Sequence, residues 1–133
     1  MEIRAYKNYN EQEILNLYSS VGWTAYTDEP ASLKAGFRNS LLTLAAYEGD
    51  QLLGVIRTVG DGQTIVYIQD ILVFPEYQRK GIGSALVHAI LSHFQAVRQI
   101  VLATDNTPKT IEFYESLGFV QMTHMGCCGF MKA

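Results

Sequence analysis

The chain has 133 residues, of which 48% are hydrophobic and 17% charged, and its formal net charge is −3. This length and composition predict one globular domain over residues 1–133 and exclude an intrinsically disordered chain. No apolar run approaches the ~20 residues that a transmembrane helix needs, and the slightly acidic balance argues against a nucleic-acid partner.

The first forty residues predict one strand and two helices. Apolar and charged residues alternate from Met1 to Tyr6, which is typical of a strand. Asn10 is placed to cap a helix, with Glu13 as its capping-box partner. We expect a loop from Trp23 to Pro30 and a second helix from Pro30 to about Arg38, with the proline in its first turn.

Three strand-like runs follow, over residues 41–47, 52–59 and 64–74, and glycine-containing turns separate them. This pattern predicts an antiparallel meander. Residues 82–94 predict a helix and residues 100–104 a short strand. A strand–helix–strand sequence favours parallel pairing of its two strands through a right-handed crossover.

The last third of the chain predicts a helix and a hairpin. Thr107 is a suitable helix cap and Pro108 a suitable first helical residue. Residues 119–123 and 127–132 are expected to pair as a terminal hairpin around Gly126. The fold class is therefore α+β, with a mixed and largely antiparallel sheet that carries helices on both faces.

The segment Gln78-Arg79-Lys80-Gly81-Ile82-Gly83 joins the long strand to the helix and carries the strongest functional signal. Glycines let a ligand approach the backbone, and unpaired N–H groups at a helix start bind anions. The expected anion is a phosphate or pyrophosphate. The P-loop pattern does not fit, because Lys80 precedes Gly81. The dinucleotide fingerprint does not fit either, because Leu86 stands where its third glycine belongs.

This loop is similar to the acyl-coenzyme A loop of the GCN5-related N-acetyltransferase (GNAT) superfamily. A second segment, from Ile111 to Phe119, resembles the helix that follows that loop in the family, although Thr110 stands where the family often has alanine. The resemblance implies about seven strands and a V-shaped split between the two central parallel strands. Three further matches resemble a small-amine branch, the plant plastid-type serotonin acetyltransferases: Val21-Gly22-Trp23, residues 70–73, and Asp105-Asn106.

The resemblance also implies acetyl-coenzyme A as the cofactor. Its pantetheine arm would pair with the backbone at Ile71 and Val73, and its pyrophosphate would lie on the N–H groups from Arg79 to Ser84. The residues that the resemblance places against the cofactor are Ile71, Leu72, Val73, Gln78, Arg79, Lys80, Gly81, Ile82, Gly83, Ser84, Asn106, Phe113 and Tyr114.

Three residues are candidates for the acid–base chemistry. The resemblance makes Tyr114 the general acid that protonates the leaving thiolate; its alternative role is core packing beside Phe113. Family members often carry a glutamate where this chain has Tyr67, so a direct carboxylate base is in doubt. Asp70 is the nearest carboxylate and could act through water; its alternative role is a hydrogen bond to a bulge or neighbouring loop. The amine could also lose its proton through an ordered water chain.

The remaining candidates are acceptor residues and thiols. Trp23 and Tyr26 could line the acceptor pocket or simply pack, and His124 is expected to be a packing or surface residue. Cys127 and Cys128 are adjacent, and we expect reduced thiols and no metal site there.

The expected function is an N-acetyltransferase for a small primary amine, in a monomer or homodimer. Two alternatives stay open, a protein or peptide N-acetyltransferase and a non-catalytic acyl-coenzyme A sensor. Since the N-terminus lacks the basic and then apolar pattern of a signal peptide, a cytoplasmic protein is expected.

Overall fold

The computed structural model describes all 133 residues, which form two compact units, Met1–Val101 and Leu102–Ala133. The strands are β1 (Glu2–Ala5), β2 (Leu42–Glu48), β3 (Gln51–Gly60), β4 (Val66–Val73) and β5 (Ile100–Leu102). The helices are α1 (Glu11–Ser20), α2 (Thr24–Thr27), α3 (Pro30–Arg38), α4 (Ile82–His93) and α5 (Pro108–Ser116). No helix combines the length and the apolar character that a membrane crossing requires. The single domain over residues 1–133 stays a prediction.

The strands form one five-stranded sheet in the order β1-β2-β3-β4-β5. The first four strands pair antiparallel with their neighbours, which confirms the predicted meander. The Val66 N–H donates to the Gln99 carbonyl at 3.0 Å, so the contact towards β5 lies where β4 begins. The V-shaped split and the parallel pairing stay predictions.

The expectation of about seven strands was wrong, because residues 119–132 form no hairpin. A 3₁₀ turn occupies Met122–Met125 instead, and Gly126 ends it with φ +84°. The Cys127 N–H closes this turn on the Met122 carbonyl at 3.0 Å. Residues 126–133 contain two glycines and no β-branched residue, so they have little preference for a strand.

Helices cover both faces of the sheet in the first unit. One face packs against α1 and α3 in a single buried cluster: Ile14, Leu17, Tyr18, Leu33, Ala45, Leu52, Val55 and Leu72. Successive side chains of a strand point to opposite faces, so the buried Ala46 and Ile56 face the other way. Helix α4 contacts β2, β3 and β4 on that second face.

The α1 cap differs from the prediction in one contact. As expected, the Asn10 side chain accepts the Glu13 N–H at 3.1 Å. The Glu13 carboxylate does not reach back to the Asn10 N–H. It accepts the Tyr6 hydroxyl at 2.8 Å, and that hydroxyl accepts the Asn10 N–H at 3.2 Å. A residue from the end of β1 therefore completes the cap.

A β-bulge in β4 decides which way its side chains point. Arg57 pairs with Asp70 but Thr58 pairs with Ile68, so Gln69 is an extra residue in the ladder. An extra residue reverses the alternation of faces at that point. Both Ile68 and Asp70 are consequently buried, on opposite faces of the sheet, and Asp70 lies on the α1 face beside Arg57.

The Asp61 carboxylate holds the turn between β3 and β4. It accepts the N–H groups of Gln63, Thr64 and Ile65 at 2.8, 2.8 and 3.1 Å, and the Thr64 hydroxyl at 2.7 Å. The Thr64 hydroxyl and these three N–H groups hold the Asp61 pKa well below its ordinary value of 3.8.

We predict that Asp61→Ala lowers the thermal unfolding midpoint, because those N–H groups lose their acceptor. Asp50→Ala is the control, since Asp50 lies exposed in the preceding hairpin turn. A carboxylate whose pKa is lower in the folded protein than in the unfolded chain stabilises the folded protein at pH values above the unfolded-state pKa. That stabilisation is lost as the pH falls. The difference between wild type and Asp61→Ala in scanning calorimetry should therefore shrink between about pH 5 and pH 2. Equal midpoints for the two variants at neutral pH would contradict the prediction.

Candidate active site

The loop between β4 and α4 contains two residues in the left-handed conformation. After a 3₁₀ turn at Pro75–Tyr77, the Gln78 side chain donates to the Val73 carbonyl at 3.0 Å and fastens the loop to the strand end. Arg79 has φ +63° and is the only non-glycine residue with positive φ. Gly81, with φ +81°, is the N-cap of α4. Strained backbone conformations cluster at functional sites, so Arg79 marks this loop as a candidate site.

Six consecutive backbone N–H groups at the end of this loop and the start of α4 have no acceptor within the protein. Ala85 is the first residue of the segment whose N–H is bonded, to the Gly81 carbonyl at 3.0 Å; the six N–H groups from Arg79 to Ser84 are free. A Cβ on Gly81 would meet nothing within 4 Å, so the space beside the backbone is open. Arg79 and Lys80 are both exposed there. Free N–H groups, a helix N-terminus and two cations are together suited to bind an anion.

The carboxyl end of β4 presents backbone groups on the edge away from β3. The Phe74 N–H donates to the Leu53 carbonyl at 3.0 Å. Backbone groups alternate between the two edges of an antiparallel strand, so those of Ile71 and Val73 point away from β3. On the other edge, the backbones of β3 and β4 approach each other closely at Gly54, where an added Cβ would lie 2.5 Å from the Leu72 carbonyl oxygen.

Asp70 forms a buried ion pair. Its Oδ2 accepts Arg57 Nε at 2.8 Å and the Tyr18 hydroxyl at 2.7 Å, and lies 2.7 Å from Arg57 Nη2. Its Oδ1 accepts the Tyr26 hydroxyl at 3.3 Å. Asp70 is 2% exposed and Arg57 6%. Both carboxylate oxygens are thus engaged by side chains of the protein, and the role of Asp70 as a water-mediated base stays a prediction.

The ionisation of this cluster follows from its burial. Burial lowers the pKa of Arg57, but the Asp70 charge and the Tyr18 contacts outweigh it, and the pKa is raised. Burial and then the Asp70 charge raise the pKa of Tyr18. Tyr18 is therefore a neutral donor and Arg57 a cation at neutral pH. Sequence reasoning missed Arg57, although a lone arginine in the apolar run 52–59 was a signal for a buried partner.

Two aromatic residues extend from this cluster to the surface. The Trp23 and Tyr26 rings stack with centroids 5.9 Å apart, and Trp23 is 37% exposed. The Gln69 side chain donates to the Tyr26 hydroxyl at 3.2 Å. Tyr67 pairs with Val59 and so shares the face of Arg57 and Asp70. The structure therefore brings three predicted residues, Trp23, Tyr26 and Asp70, into one connected cluster.

Tyr114 lies in the second unit, on α5. Thr107 caps this helix as predicted, accepting the Thr110 N–H at 3.3 Å. Tyr114 is 9% exposed, and its ring packs edge-on against Phe113 and Phe119, with centroids 4.9 and 5.8 Å away. Burial raises the pKa of Tyr114, with the Thr104 side chain acting in the opposite direction. The phenol is therefore protonated at neutral pH and able to donate.

Four further candidates of this unit, Asn106, His124, Cys127 and Cys128, are exposed. Asn106 precedes α5 in an irregular segment, and His124 lies in the 3₁₀ turn Met122–Met125. Cys127 and Cys128 are free and exposed thiols.

Comparisons with known proteins agree with one another. The model of the acetyltransferase (GNAT) family matches residues 9–119. An uncharacterised N-acetyltransferase from Prochlorococcus marinus is 30% identical, over 91% of this chain and 68% of its own length. A GNAT family acetyltransferase structure from Streptococcus pneumoniae is 37% identical, with a TM-score of 0.89, over 99% of this chain and 96% of that one. An aminoglycoside 6′-N-acetyltransferase complexed with coenzyme A shares the fold, with a TM-score of 0.74 and 20% identity, over 89% and 84% of the two chains.

The buried ion pair generates a stability prediction. Asp70→Leu should lower the free energy of unfolding by about 3–5 kcal/mol, because it leaves the Arg57 charge buried without a partner. Arg57→Met should lower the free energy of unfolding by a similar amount, since it leaves the Asp70 charge buried without a partner. The double variant removes both charges and should be far more stable than the sum of the two losses implies. Urea denaturation of the four proteins measures this, and strictly additive losses would contradict a direct interaction.

Proposed function

We propose that this chain, since it belongs to the acetyltransferase (GNAT) family, transfers an acetyl group from acetyl-coenzyme A to a primary amine of a small molecule. The observation that carries the proposal is the loop whose N–H groups from Arg79 to Ser84 have no acceptor in the protein. A pyrophosphate supplies the acceptors that these groups lack, and Arg79 and Lys80 offset its charge. The residues present thus fit the cofactor that the family uses.

The edge of β4 is suited to the extended arm of that cofactor. The Val73 carbonyl already accepts the Gln78 side chain at 3.0 Å, which leaves the Val73 N–H. Because the backbone groups of Ile71 point away from β3, they are available to pair with amide groups of the pantetheine. Such pairing resembles the addition of a strand to a sheet edge. The Val73 N–H is then the donor that stabilises negative charge developing on the acetyl oxygen.

Tyr114 is the proposed general acid. Acyl transfer from a thioester releases a thiolate, which leaves more readily when it receives a proton. Because burial raises the Tyr114 pKa, the phenol holds its proton through the neutral range. Packing against Phe113 and Phe119 fixes the ring, so the packing role and the acid role are compatible.

The proposed route for the amine proton is ordered water. Tyr67 stands where the family often has a glutamate, and Asp70 is held by Arg57, Tyr18 and Tyr26. We assign Asp70 a positioning role, because its Oδ1 holds the Tyr26 hydroxyl. Trp23 and Tyr26 then form an aromatic wall for the acceptor, which favours an amine with an apolar or aromatic body. The cytoplasmic location, the serotonin-type branch and the monomer or homodimer state stay predictions.

The experiment that tests the proposal measures thiol release from acetyl-coenzyme A. The panel contains small arylalkylamines, small aliphatic amines, and a peptide with a free N-terminus and a lysine. We expect release that depends on a small amine and is fastest with an arylalkylamine. Faster release with the peptide would support the protein-acetylating alternative. Tight binding of acetyl-coenzyme A with no release for any amine would support the sensor.

Gly83 provides a test of the loop. It lies in the first turn of α4 and has no positive φ, so a side chain there is not strained. Gly83→Glu should weaken acetyl-coenzyme A binding by more than about tenfold, because it puts a carboxylate beside the pyrophosphate site. His88→Glu adds a glutamate at an exposed position of the same helix and should change the affinity little. Calorimetric titration measures both, and equal affinities in the two folded variants would contradict the site.

Tyr114→Phe tests the proposed role of Tyr114 as general acid. The variant removes one oxygen and keeps the ring, so the fold should survive and turnover should fall by roughly 10²-fold. Affinity for acetyl-coenzyme A should barely change, since the lost interaction matters in the transition state. Tyr47→Phe, a change at a half-buried tyrosine of β2, is the control.

The pH profile adds a second readout. Because burial raises the Tyr114 pKa above its ordinary value of 10.0, the phenol stays protonated through the neutral range, so no loss of turnover between about pH 6 and pH 8 should come from this residue. Full turnover in Tyr114→Phe, with the chemical step shown to be rate-limiting, would remove Tyr114 from the mechanism.

A further inference from the structure

Cys127 and Cys128 form a pair of thiols that the proposed function does not use. They are the two cysteines of the chain, both free and both exposed. The Cys127 N–H is bonded to the Met122 carbonyl at 3.0 Å, and no helix or strand includes the residues from Cys127 to Ala133. Any disulfide within one chain must therefore join these two neighbours.

The geometry of adjacent cysteines makes such a disulfide labile. Neighbouring Cα atoms lie about 3.8 Å apart, which is less than the roughly 4.4–6.8 Å usual for disulfide-bonded cysteines. The bond would close a small and strained ring, and strained or exposed disulfides are readily reduced. Glycines flank the pair: Gly126 adopts φ +84°, and a Cβ on Gly129 would meet nothing within 4 Å. Glycine is conformationally permissive, so the backbone on either side of the pair can adjust when the ring forms.

We propose that Cys127 and Cys128 are a reversible redox site, oxidised to a 127–128 disulfide by low-molecular-weight disulfides. In the first step one thiolate attacks a sulfur of the small disulfide; its S–S bond breaks and one small thiol leaves, so a mixed disulfide forms. In the second step the neighbouring thiol gives its proton to water and attacks the cysteine sulfur of that mixed disulfide. The second small thiol leaves. The protein loses two hydrogens, and the small disulfide becomes two thiols.

Because Cys127 and Cys128 are neighbours, we expect the mixed disulfide to react further and not to accumulate. The resolving thiol is covalently held beside the bond it attacks, so the second step needs no encounter with another molecule. Exposure of both side chains lets the small disulfide reach either sulfur and lets the leaving thiol depart. Ring strain in turn lets excess small thiol reverse the reaction.

The test uses the full chain, reduced and then incubated with oxidised glutathione at low protein concentration. Samples are quenched in acid and weighed by intact mass spectrometry, with a non-reducing gel alongside. We expect the wild type to lose two hydrogens and to remain a single chain without an adduct. Cys127→Ser and Cys128→Ser each lack the resolving thiol, so each should retain one glutathione.

Reversal completes the test. Excess reduced glutathione should return the oxidised wild type to two free thiols. The proposal is overturned if the wild type carries stable glutathione adducts like the single variants. Complete resistance to oxidation, disulfide-linked chains on the gel, or a disulfide that excess glutathione does not reduce would overturn it equally.

Discussion

The buried ion pair between Arg57 and Asp70 is the interaction on which the first unit depends. Two charges inside a core cost several kcal/mol unless each is fully partnered. Here Asp70 meets that condition through Arg57, through Tyr18 of α1 and through Tyr26 of α2. The bulge at Gln69 is what turns Asp70 onto this face. One carboxylate therefore fixes the register of β4 against β3 and anchors two helices, and the loop begins where that strand ends.

The loop between β4 and α4 differs from the ion pair, because several of its hydrogen-bonding groups have no partner in the protein. Arg79 and Gly81 both take left-handed backbone conformations, and six successive N–H groups find no acceptor in the protein. A non-glycine residue with positive φ is strained. The first N–H groups of a helix have no partner inside it, and no side chain caps α4. A loop with both features is poorly suited to structure alone and well suited to an anionic ligand. The rigid end of β4 and the apolar body of α4 hold it in place.

Features with local causes could be predicted from the sequence. The caps at Asn10 and Thr107 and the antiparallel meander follow from neighbouring residues, and the structure contains them. The bulge could not be predicted from the sequence. Val66, Ile68, Asp70 and Leu72 stand at every second position, which is the pattern of a regular strand without an extra residue. The role of Tyr6 in the α1 cap depends on a tertiary contact. The expected terminal hairpin was wrong, because residues 126–133 contain two glycines and no β-branched residue and so have little preference for a strand.

The most direct measurement of the loop's function is a nuclear magnetic resonance titration of the ¹⁵N-labelled protein, comparing coenzyme A with pantetheine. Pantetheine lacks the pyrophosphate, so it can occupy the β4 edge but not the anion site. With coenzyme A, the amide signals from Arg79 to Ser84 should shift most, since their N–H groups gain acceptors; with pantetheine they should stay nearly unchanged while those of Ile71 and Val73 move. If coenzyme A binds and the amides from Arg79 to Ser84 do not shift, these N–H groups do not hold the pyrophosphate.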